Sequence, residues 1–486
     1  MAFSERLNLS EFAWTSLESR NRPMHVATLL IYAKPEDAGK HYLSELVESL
    51  RESTEFVDPF NKRFSAPSVL RPYPAWERDY DLDMEYHVRH LALPAPGGER
   101  ELGALIARLH SNPLDFKRPL WEYHIIEGLE GNRFAVYFKM HHALVDGIAG
   151  VHMLTRSMST DPEDKRAPAL WSAEAPTVND EVDPSISRIK RATKGAIRSL
   201  TSINNVSRSL LRVARAARDE NDPFSLPFQS PKSILNGRIS SQRRFATQAY
   251  SFSRIRRLSK AAGCTVNDIV LALSAGALRR FLRELNALPG QPMTAGVPVS
   301  LRPKDDQGAG AAVAFIIANL ATNVADPLRR LEVIAKSTTR AKTLMSELSR
   351  EEIENFSALM LSPQSMQTVL DLEGYTRPVF NVTVSNVPGP TETLYLRGSQ
   401  LEAMFPVSAV THGQALNITC YSYGGNISFG FAGCRDSVPR LQRIAVYTGE
   451  ALEELEAALL PREEQEAETP AAKPTRIRRQ KKSGTG

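Results

Sequence analysis

The chain contains little cysteine and no long apolar run. Its three cysteines, Cys264, Cys420 and Cys434, have no spacing typical of a metal site, so we expect free thiols and neither a disulfide framework nor a metal centre. No stretch of roughly eighteen apolar residues occurs, which argues against a transmembrane helix. The first six residues lack the charged and then apolar order of a secretion signal. We therefore expect a cytoplasmic protein.

Size and composition indicate two domains. The chain has 486 residues, of which 42% are hydrophobic. A single hydrophobic core usually stops growing at about 250 to 300 residues, and this chain is longer. A segment rich in proline, alanine and acidic residues separates the two halves. We predict an N-terminal domain at 1–160, a linker at 161–239, a C-terminal domain at 240–460 and a disordered basic tail at 461–486.

Strands and helices are predicted to alternate in both halves, which favours an α/β layer structure. Apolar residues at helical spacing predict helices at 42–51, 99–111, 148–158 and 265–285. Runs rich in β-branched and aromatic residues predict strands at 26–32, 121–127, 134–140, 293–299, 379–385, 416–423 and 427–431. An apolar stretch occupies 311–324, and Gly424-Gly425-Asn426 predicts a tight turn between the last two strands.

The string HHALVDG at 141–147 is the most specific motif of the chain. It lies between a predicted strand and a predicted helix, and such a turn can present a side chain at the mouth of a cleft. Histidine takes and returns a proton near neutrality because its unperturbed pKa is about 6.5. A histidine pair alone is more often structural than catalytic. Asp146 and Gly147 complete the pattern HHxxxDG, which favours a group-transfer site.

With this motif, five further blocks carry a family resemblance. They are PMHV at 23–26, NPLDF and RPLW at 112–121, VND at 266–268, PVSLRP at 298–303 and SNVPGP at 385–390. In this order, from about residue 8 to 460, the chain resembles the bacterial wax ester synthase/acyl-CoA:diacylglycerol acyltransferases. That family shares HHxxxDG with chloramphenicol acetyltransferase and with nonribosomal peptide condensation domains.

The resemblance implies both a fold and an activity. The implied fold is α/β, with two chloramphenicol acetyltransferase-like sandwich domains joined by a helical linker and an active-site tunnel between them. The implied activity moves a long-chain acyl group from acyl-CoA to a fatty alcohol, giving a wax ester, or to diacylglycerol, giving triacylglycerol. We expect His142 to be the general base, with acyl-CoA as substrate, no separate cofactor and no metal.

The other motif residues are expected to support His142. The resemblance implies that His141 and Asp146 shape the motif, with Asp146 paired to a remote arginine. Arg302 is the candidate partner, although a surface arginine after a strand is an equally good interpretation. Gly147 allows close backbone approach.

A transferase of this kind also needs a donor for the oxyanion of its tetrahedral intermediate. Three polar residues of the blocks are candidates: Asn267, Ser385 and Asn386. A structural role at the end of a strand or helix is at least as good an interpretation for each.

A basic segment predicts contact with lipid. Residues 186–218 combine an apolar helical stripe with many arginines and lysines, which is typical of a helix lying on an anionic membrane. An interdomain helix with a solvated charged face is an equally good interpretation. The basic residues at 476–482 can add about 1 kcal/mol of attraction each. No recognition module for nucleic acid accompanies them, so we expect peripheral binding to the inner membrane face or to lipid inclusions.

Two other functions stay open at this point. A carrier-protein-dependent condensation enzyme would use the same histidine motif, but it would normally stand beside a phosphopantetheine-bearing module, and this chain has none. A catalytically silent lipid-surface protein could keep the fold, although the intact HHxxxDG counts against it.

Overall fold

Fifteen strands and ten helices occur in the described part of the chain. The computed structural model describes residues 4–69, 71–145, 147–173, 223–301, 312–346 and 348–460. The strands are β1 (Ser4–Arg6), β2 (His25–Ala33), β3 (Lys62–Ser65), β4 (Ala75–Arg78), β5 (Val88–Ala92), β6 (Trp121–Leu129), β7 (Arg133–His141), β8 (Arg243–Ser251), β9 (Thr294–Leu301), β10 (Ala312–Asn319), β11 (Val382–Pro388), β12 (Tyr395–Leu396), β13 (Ser399–Val407), β14 (Leu416–Tyr423) and β15 (Asn426–Cys434).

The helices lie between these strands. They are α1 (Leu9–Leu17), α2 (Tyr42–Arg51), α3 (Met84–His87), α4 (Glu99–Ser111), α5 (Gly147–Arg156), α6 (Phe252–Ala261), α7 (Val266–Glu284), α8 (Pro327–Ser346), α9 (Arg350–Val369) and α10 (Gln442–Leu459). In this part of the chain no single helix has the length and apolar composition to cross a membrane. The pair α6 and α7, bent by 101°, passes that test together by length and composition alone.

The predicted elements of both halves are confirmed to within a few residues. α7 begins with a capping box in which the Thr265 and Asp268 side chains each accept from the other's backbone N–H. The predicted turn between β14 and β15 is also present. Gly424 and Gly425 have φ of +55° and +74° there, and two successive positive φ values are what a two-residue hairpin turn with the right twist requires.

Two six-stranded sheets form the framework. The N-terminal sheet has the order β12-β13-β2-β7-β6-β5, and the C-terminal sheet has the order β10-β9-β11-β14-β15-β8. A third, small sheet has the order β1-β4-β3. α4 packs on the N-terminal sheet through Leu105 and Ile106 and also contacts β8 of the C-terminal sheet. The α/β architecture that was predicted is thus present, with α4 between the two sheets.

The structure differs from the predicted division of the chain at two places. β12 and β13 fall within 240–460 but belong to the N-terminal sheet, where β13 runs antiparallel to β2. The predicted linker 161–239 also contributes to both cores: Trp171 is buried in the N-terminal core, and Phe224 and Leu235 are buried in the C-terminal core. Composition could not reveal the packing of the linker, because a proline-rich segment can be packed as well as exposed. It could not reveal the sheet to which β12 and β13 belong either, because composition does not determine which strands pair.

Several predictions fall on residues outside those described. The basic segment 186–218 and the tail 461–486 belong to this group. The predicted membrane helix therefore stays a prediction. The three cysteines are free, as predicted, with Cys420 and Cys434 buried.

Candidate active site

The HHxxxDG turn lies between β7 and α5, as predicted. β7 ends at His141, whose backbone pairs with His25 of β2. The backbone N–H of His142 donates to the carbonyl oxygen of Met24 at 2.8 Å. α5 begins at Gly147. The PMHV block therefore holds the start of the turn from the neighbouring strand.

The imidazole of His142 stacks on Trp14. The ring centroids are 4.1 Å apart and the ring planes differ by 16°. Trp14 lies in α1 and packs against a small apolar cluster that includes Trp76, Leu120 and Ala143. His142 itself is half-buried. The turn thus packs on an apolar cluster, while the side chain of His142 stays partly exposed.

His141 points into the protein. Its side chain is 1% exposed, and its Nδ1 accepts a hydrogen bond from the Ala143 N–H at 3.1 Å. Because Nδ1 accepts, the ring proton sits on Nε2, which lies 3.5 Å from Oε2 of Glu18. The edge of the ring also meets Phe116, with centroids 5.4 Å apart. These contacts are those of a residue that shapes the turn.

Glu18 links the two histidines through the backbone of Met24. Its Oε2 accepts from the Met24 N–H at 2.5 Å, while the Met24 carbonyl accepts from His142. The same carboxylate faces His141. Sequence reasoning missed both Glu18 and Trp14, because α1 was not predicted and the contacts join parts of the chain that are far apart in sequence.

A buried ionic group lies on the same face of the N-terminal sheet as His141. Lys139 is fully buried, and its Nζ lies 2.9 Å from Oε2 of Glu122. His124 Nε2 lies 3.0 Å from the same oxygen. Burial would raise the pKa of Glu122, but the His124 hydrogen bond and the Lys139 charge outweigh burial and lower that pKa to about 2. Lys139 also donates to the Asn112 carbonyl at 3.1 Å, which ties the NPLDF block to β7.

The SNVPGP block runs beside the motif. A Cβ placed on Gly147 would lie 4.0 Å from Cγ2 of Val387, and Val387 shares a core cluster with Val145. Ser385 and Asn386 directly precede Val387 in β11. Oδ1 of Asn386 is buried and has no hydrogen-bond partner in the described part of the chain. The structure therefore places this block beside the HHxxxDG turn.

The VND block at the start of α7 contains two polar side chains that differ in their hydrogen bonding. Asp268 is engaged, because its Oδ2 accepts from the Thr265 N–H at 2.9 Å and its Oδ1 accepts from the Thr338 hydroxyl at 2.6 Å. The Nδ2 atom of Asn267 is buried without a hydrogen-bond partner among the described residues. α7 contacts β11, the strand of the SNVPGP block. Asn267 thus keeps a donor that the described part of the chain does not use.

Two predicted site residues, Asp146 and Arg302, are not among the described residues. Their pairing stays a prediction.

Sequence comparison covers nearly the whole chain. The profile of the wax ester synthase/diacylglycerol acyltransferase catalytic domain matches residues 7–270, and that of the C-terminal domain of the same family matches residues 309–456. A putative diacylglycerol O-acyltransferase of Mycobacterium tuberculosis is 42% identical over 94% of this chain and 98% of its own length. The O-acyltransferase WSD of Acinetobacter baylyi is 38% identical over 93% of this chain and 97% of its own.

Solved structures agree with the sequence comparison. The wax ester synthase/diacylglycerol acyltransferase from Marinobacter aquaeolei VT8 superimposes with a TM-score of 0.75 and 36% identity, covering 94% of this chain and 99% of that one. A starter condensation domain of rhizomide synthetase, at 12% identity, has a TM-score of 0.58 over 93% of this chain and 94% of its own, a likeness of fold alone. The predicted resemblance is confirmed, and the chain belongs to the wax ester synthase/diacylglycerol acyltransferase family.

Proposed function

We propose that this protein is an O-acyltransferase that moves a long-chain acyl group from acyl-CoA to a fatty alcohol, to diacylglycerol, or to both. Relatives that carry these names support the acyl transfer. The observation that carries the chemistry is the position of His142, whose backbone is held by Met24 and whose ring is held by Trp14.

In the proposed reaction His142 is the general base. An alcohol is too weak an acid to attack a thioester unaided, so the neutral imidazole accepts the hydroxyl proton as the oxygen–carbonyl bond forms. The tetrahedral intermediate then collapses, the carbon–sulfur bond breaks, and the leaving thiolate of coenzyme A takes the proton back from the imidazolium. The products are an ester and free coenzyme A. This sequence requires no metal and no covalent enzyme intermediate.

The environments of the other histidines near this sheet favour His142. Burial lowers the pKa of His110 to about 3, with Arg243 adding to the effect. Burial lowers the pKa of His87 to about 4, against its hydrogen bond to the Trp121 carbonyl. A histidine with such a low pKa is a weak proton acceptor at neutral pH and therefore a poor general base. His110 also uses both ring nitrogens within the fold, and His87 uses its Nδ1.

For the oxyanion we propose Asn267 as the donor. Its Nδ2 is buried and otherwise unused by the described residues, and an unused donor in a dry site is what stabilises developing negative charge most strongly. Replacing one such donor costs about 100- to 1000-fold in kcat. Asn267→Ala is thus expected to lower kcat by that factor, whereas Ser385→Ala should have a smaller effect.

The test of the proposed function is an assay of thiol release. Purified protein would be given palmitoyl-CoA with either hexadecanol or a diacylglycerol. His142→Ala should lower turnover by about two to four orders of magnitude, since it removes the base. The matched control is His152→Ala, which changes an exposed histidine on α5. A folded His142→Ala protein that keeps more than about a tenth of the turnover would contradict the base assignment.

We further propose that the protein works at an anionic lipid surface, where its water-insoluble acceptor resides. Support comes from exposed apolar side chains at the end of α9 and in the turn that follows, here called the apolar patch. Its members are Met366, Val369, Leu370, Leu372 and Tyr375, which are 61%, 82%, 56%, 39% and 64% exposed.

Charge and position fit a lipid surface. Three cations lie around the patch. Lys232 donates to the Tyr375 carbonyl, Arg238 lies 5.2 Å over the Tyr375 ring and pairs with Asp371 at 2.9 Å, and Arg377 lies in the same turn. Glu373, within the turn, pairs with Arg22 at 3.0 Å. Arg22 directly precedes the PMHV block, so the apolar patch adjoins the segment that holds the catalytic turn. Exposed apolar patches with a polar rim mark interaction sites.

Vesicle flotation tests this placement. Val369→Glu with Leu370→Glu should release the protein from phosphatidylglycerol-containing vesicles while activity on a detergent-dispersed acceptor is kept. Leu328→Glu is the matched control, because Leu328 is 39% exposed and lies on α8, outside the set of patch residues. Replacing Arg208, Arg212, Arg215 and Arg218 by glutamate tests the predicted membrane helix separately. If the patch variant floats like the wild type, the patch is not the lipid contact.

A further inference from the structure

Trp14 differs from the other three tryptophans of the chain. Trp76, Trp121 and Trp171 are 0% exposed, and two of them donate their indole N–H to backbone carbonyls: Trp121 to Phe60 and Trp171 to Ser53. Trp14 is only half-buried, and its aromatic face lies flat on His142. Apolar packing alone does not require that a large ring cover the side chain that is proposed as the base.

A flat indole face affects an imidazole in two ways. It restricts rotation of the ring, and its negative π-face attracts the ring once the ring is positively charged. The second effect acts only on the imidazolium, which exists after proton transfer and not before it. An interaction that is stronger at that stage than in the resting enzyme accelerates the reaction.

α1 is built to hold this contact. Asn8 and Glu11 form a capping box at its start, with hydrogen bonds of 2.9 and 2.8 Å, which fixes the first turn. Glu18 is the C-cap residue of α1, four positions after Trp14. Trp14 contacts His142 and Glu18 faces His141. The helix and its C-cap thus contact both histidines of the motif.

We infer that Trp14 is a positioning residue that fixes the plane of the His142 ring and stabilises its imidazolium during acyl transfer. This inference rests on the proposed role of His142 as the base. A cation–π contact of about 0.5 to 2 kcal/mol corresponds to about 2- to 30-fold in rate.

The kinetic test compares Trp14→Leu with Trp14→Phe. Leucine keeps an apolar side chain but removes the π-face, so kcat should fall by about 2- to 30-fold with a smaller change in KM. The acid limb of the kcat/KM profile should move to lower pH, because the imidazolium loses its partner. Phenylalanine should restore most of both quantities. Phe12→Leu is the control, because Phe12 lies on the same helix and is exposed.

The spectroscopic test follows the indole itself. Protonated imidazole quenches a stacked indole, so the fluorescence of wild type minus that of Trp14→Phe should titrate with pH, and His142→Gln should abolish this titration. A second stack, Trp121 on His87 with centroids 4.3 Å apart, should titrate near pH 4, since the pKa of His87 is about 4. Both proteins contain this stack, so the difference spectrum removes its contribution.

The outcomes separate the two proposals. If His142→Ala is inactive but Trp14→Leu leaves kcat and the acid limb unchanged, the inference about Trp14 is wrong and the base assignment stands. If Trp14→Leu raises KM alone, Trp14 is a pocket wall and the inference is again wrong. If His142→Ala keeps its activity while the fluorescence titration depends on His142, the stack is real but the base lies elsewhere.

Discussion

Identical side chains have different roles here because their surroundings differ. His25 is buried and hydrogen-bonded to the His110 carbonyl, and burial, with the nearby charge of His110, holds its pKa well below the usual value. His141 is equally buried but is fixed by backbone and carboxylate contacts. His142 alone of the two motif histidines keeps an open side. The residue proposed as the base is therefore the less buried of the two rings.

Glu18 gives the first prediction at this scale. Glu18→Ala removes the acceptor for the Met24 N–H and the carboxylate that faces His141. A hydrogen bond to a charged group contributes about 1.5 to 3 kcal/mol, so the free energy of unfolding in urea should fall by that amount and kcat should fall with it. Glu18→Gln keeps an acceptor oxygen and should lie between Glu18→Ala and wild type. Equal stability of all three proteins would show that the contact is incidental.

The sequence located the motif but not its surroundings. HHxxxDG is recognisable because its residues are adjacent in the chain, and a run such as 134–140 shows that a strand precedes it. Trp14 and Glu18 reach the histidines only through the tertiary fold, and a nine-residue helix of mixed pattern gives a weak periodic signal. A residue that acts through another residue leaves no mark in the local sequence.

At the scale of elements, β7 shows why the strands were predictable. Phe134, Val136, Phe138 and Met140 face the larger N-terminal core and Ala135 and Tyr137 face α4. Strands buried on both faces form nearly continuous apolar runs, and most of the predicted runs were of this kind. The strands of the small sheet, β1, β3 and β4, have three or four residues each. Such short strands show no detectable alternation and were missed.

The buried ionic group on β6 and β7 gives a second prediction. Lys139→Met leaves Glu122 buried without its closest cation, which should lower the free energy of unfolding by about 3 to 5 kcal/mol. Adding Glu122→Gln removes the uncompensated charge and should recover a large part of the loss. The measurement is a double-mutant cycle in urea. Additive losses would mean that the two side chains do not interact.

The third prediction concerns the contact between the two sheets. Gly430 lies in β15 of the C-terminal sheet, and a Cβ there would overlap the carbonyl oxygen of Pro406 in β13 of the N-terminal sheet. Gly430→Ala should therefore force the sheets apart and cost about 1 to 3 kcal/mol. Gly290→Ala is the control, because no atom lies within 4 Å of a Cβ at that position. A melting temperature of Gly430→Ala equal to that of the control would contradict this close approach.

At the scale of the whole molecule, the two halves are joined by more than a connecting segment. β13 pairs with β2 although it lies far along the chain, and the His110 ring of α4 contacts the Ser408 carbonyl just after β13 at 3.2 Å. The order of elements along the chain predicts neither contact, because the topology of the sheet decides which strands pair, and the residues of one strand do not show its partner. Two buried histidines, His110 at this junction and His87 beside Trp121 of the N-terminal sheet, are expected to make the stability of the fold depend on pH.

His87 and His110 are buried and hold their pKa values at about 4 and about 3, below the usual value of about 6.5. Between these limits the unfolded chain binds protons that the folded chain does not, so stability is full above pH 6.5 and falls as the pH is lowered. His87 alone should contribute about 3 kcal/mol of this loss by pH 4. Melting temperatures measured from pH 7 to pH 4 should fall less steeply for His87→Gln, whose amide can still donate to the Trp121 carbonyl, than for wild type. The exposed-site control His152→Gln should follow wild type, and a His87→Gln curve parallel to wild type would show that folding does not lower the pKa of His87.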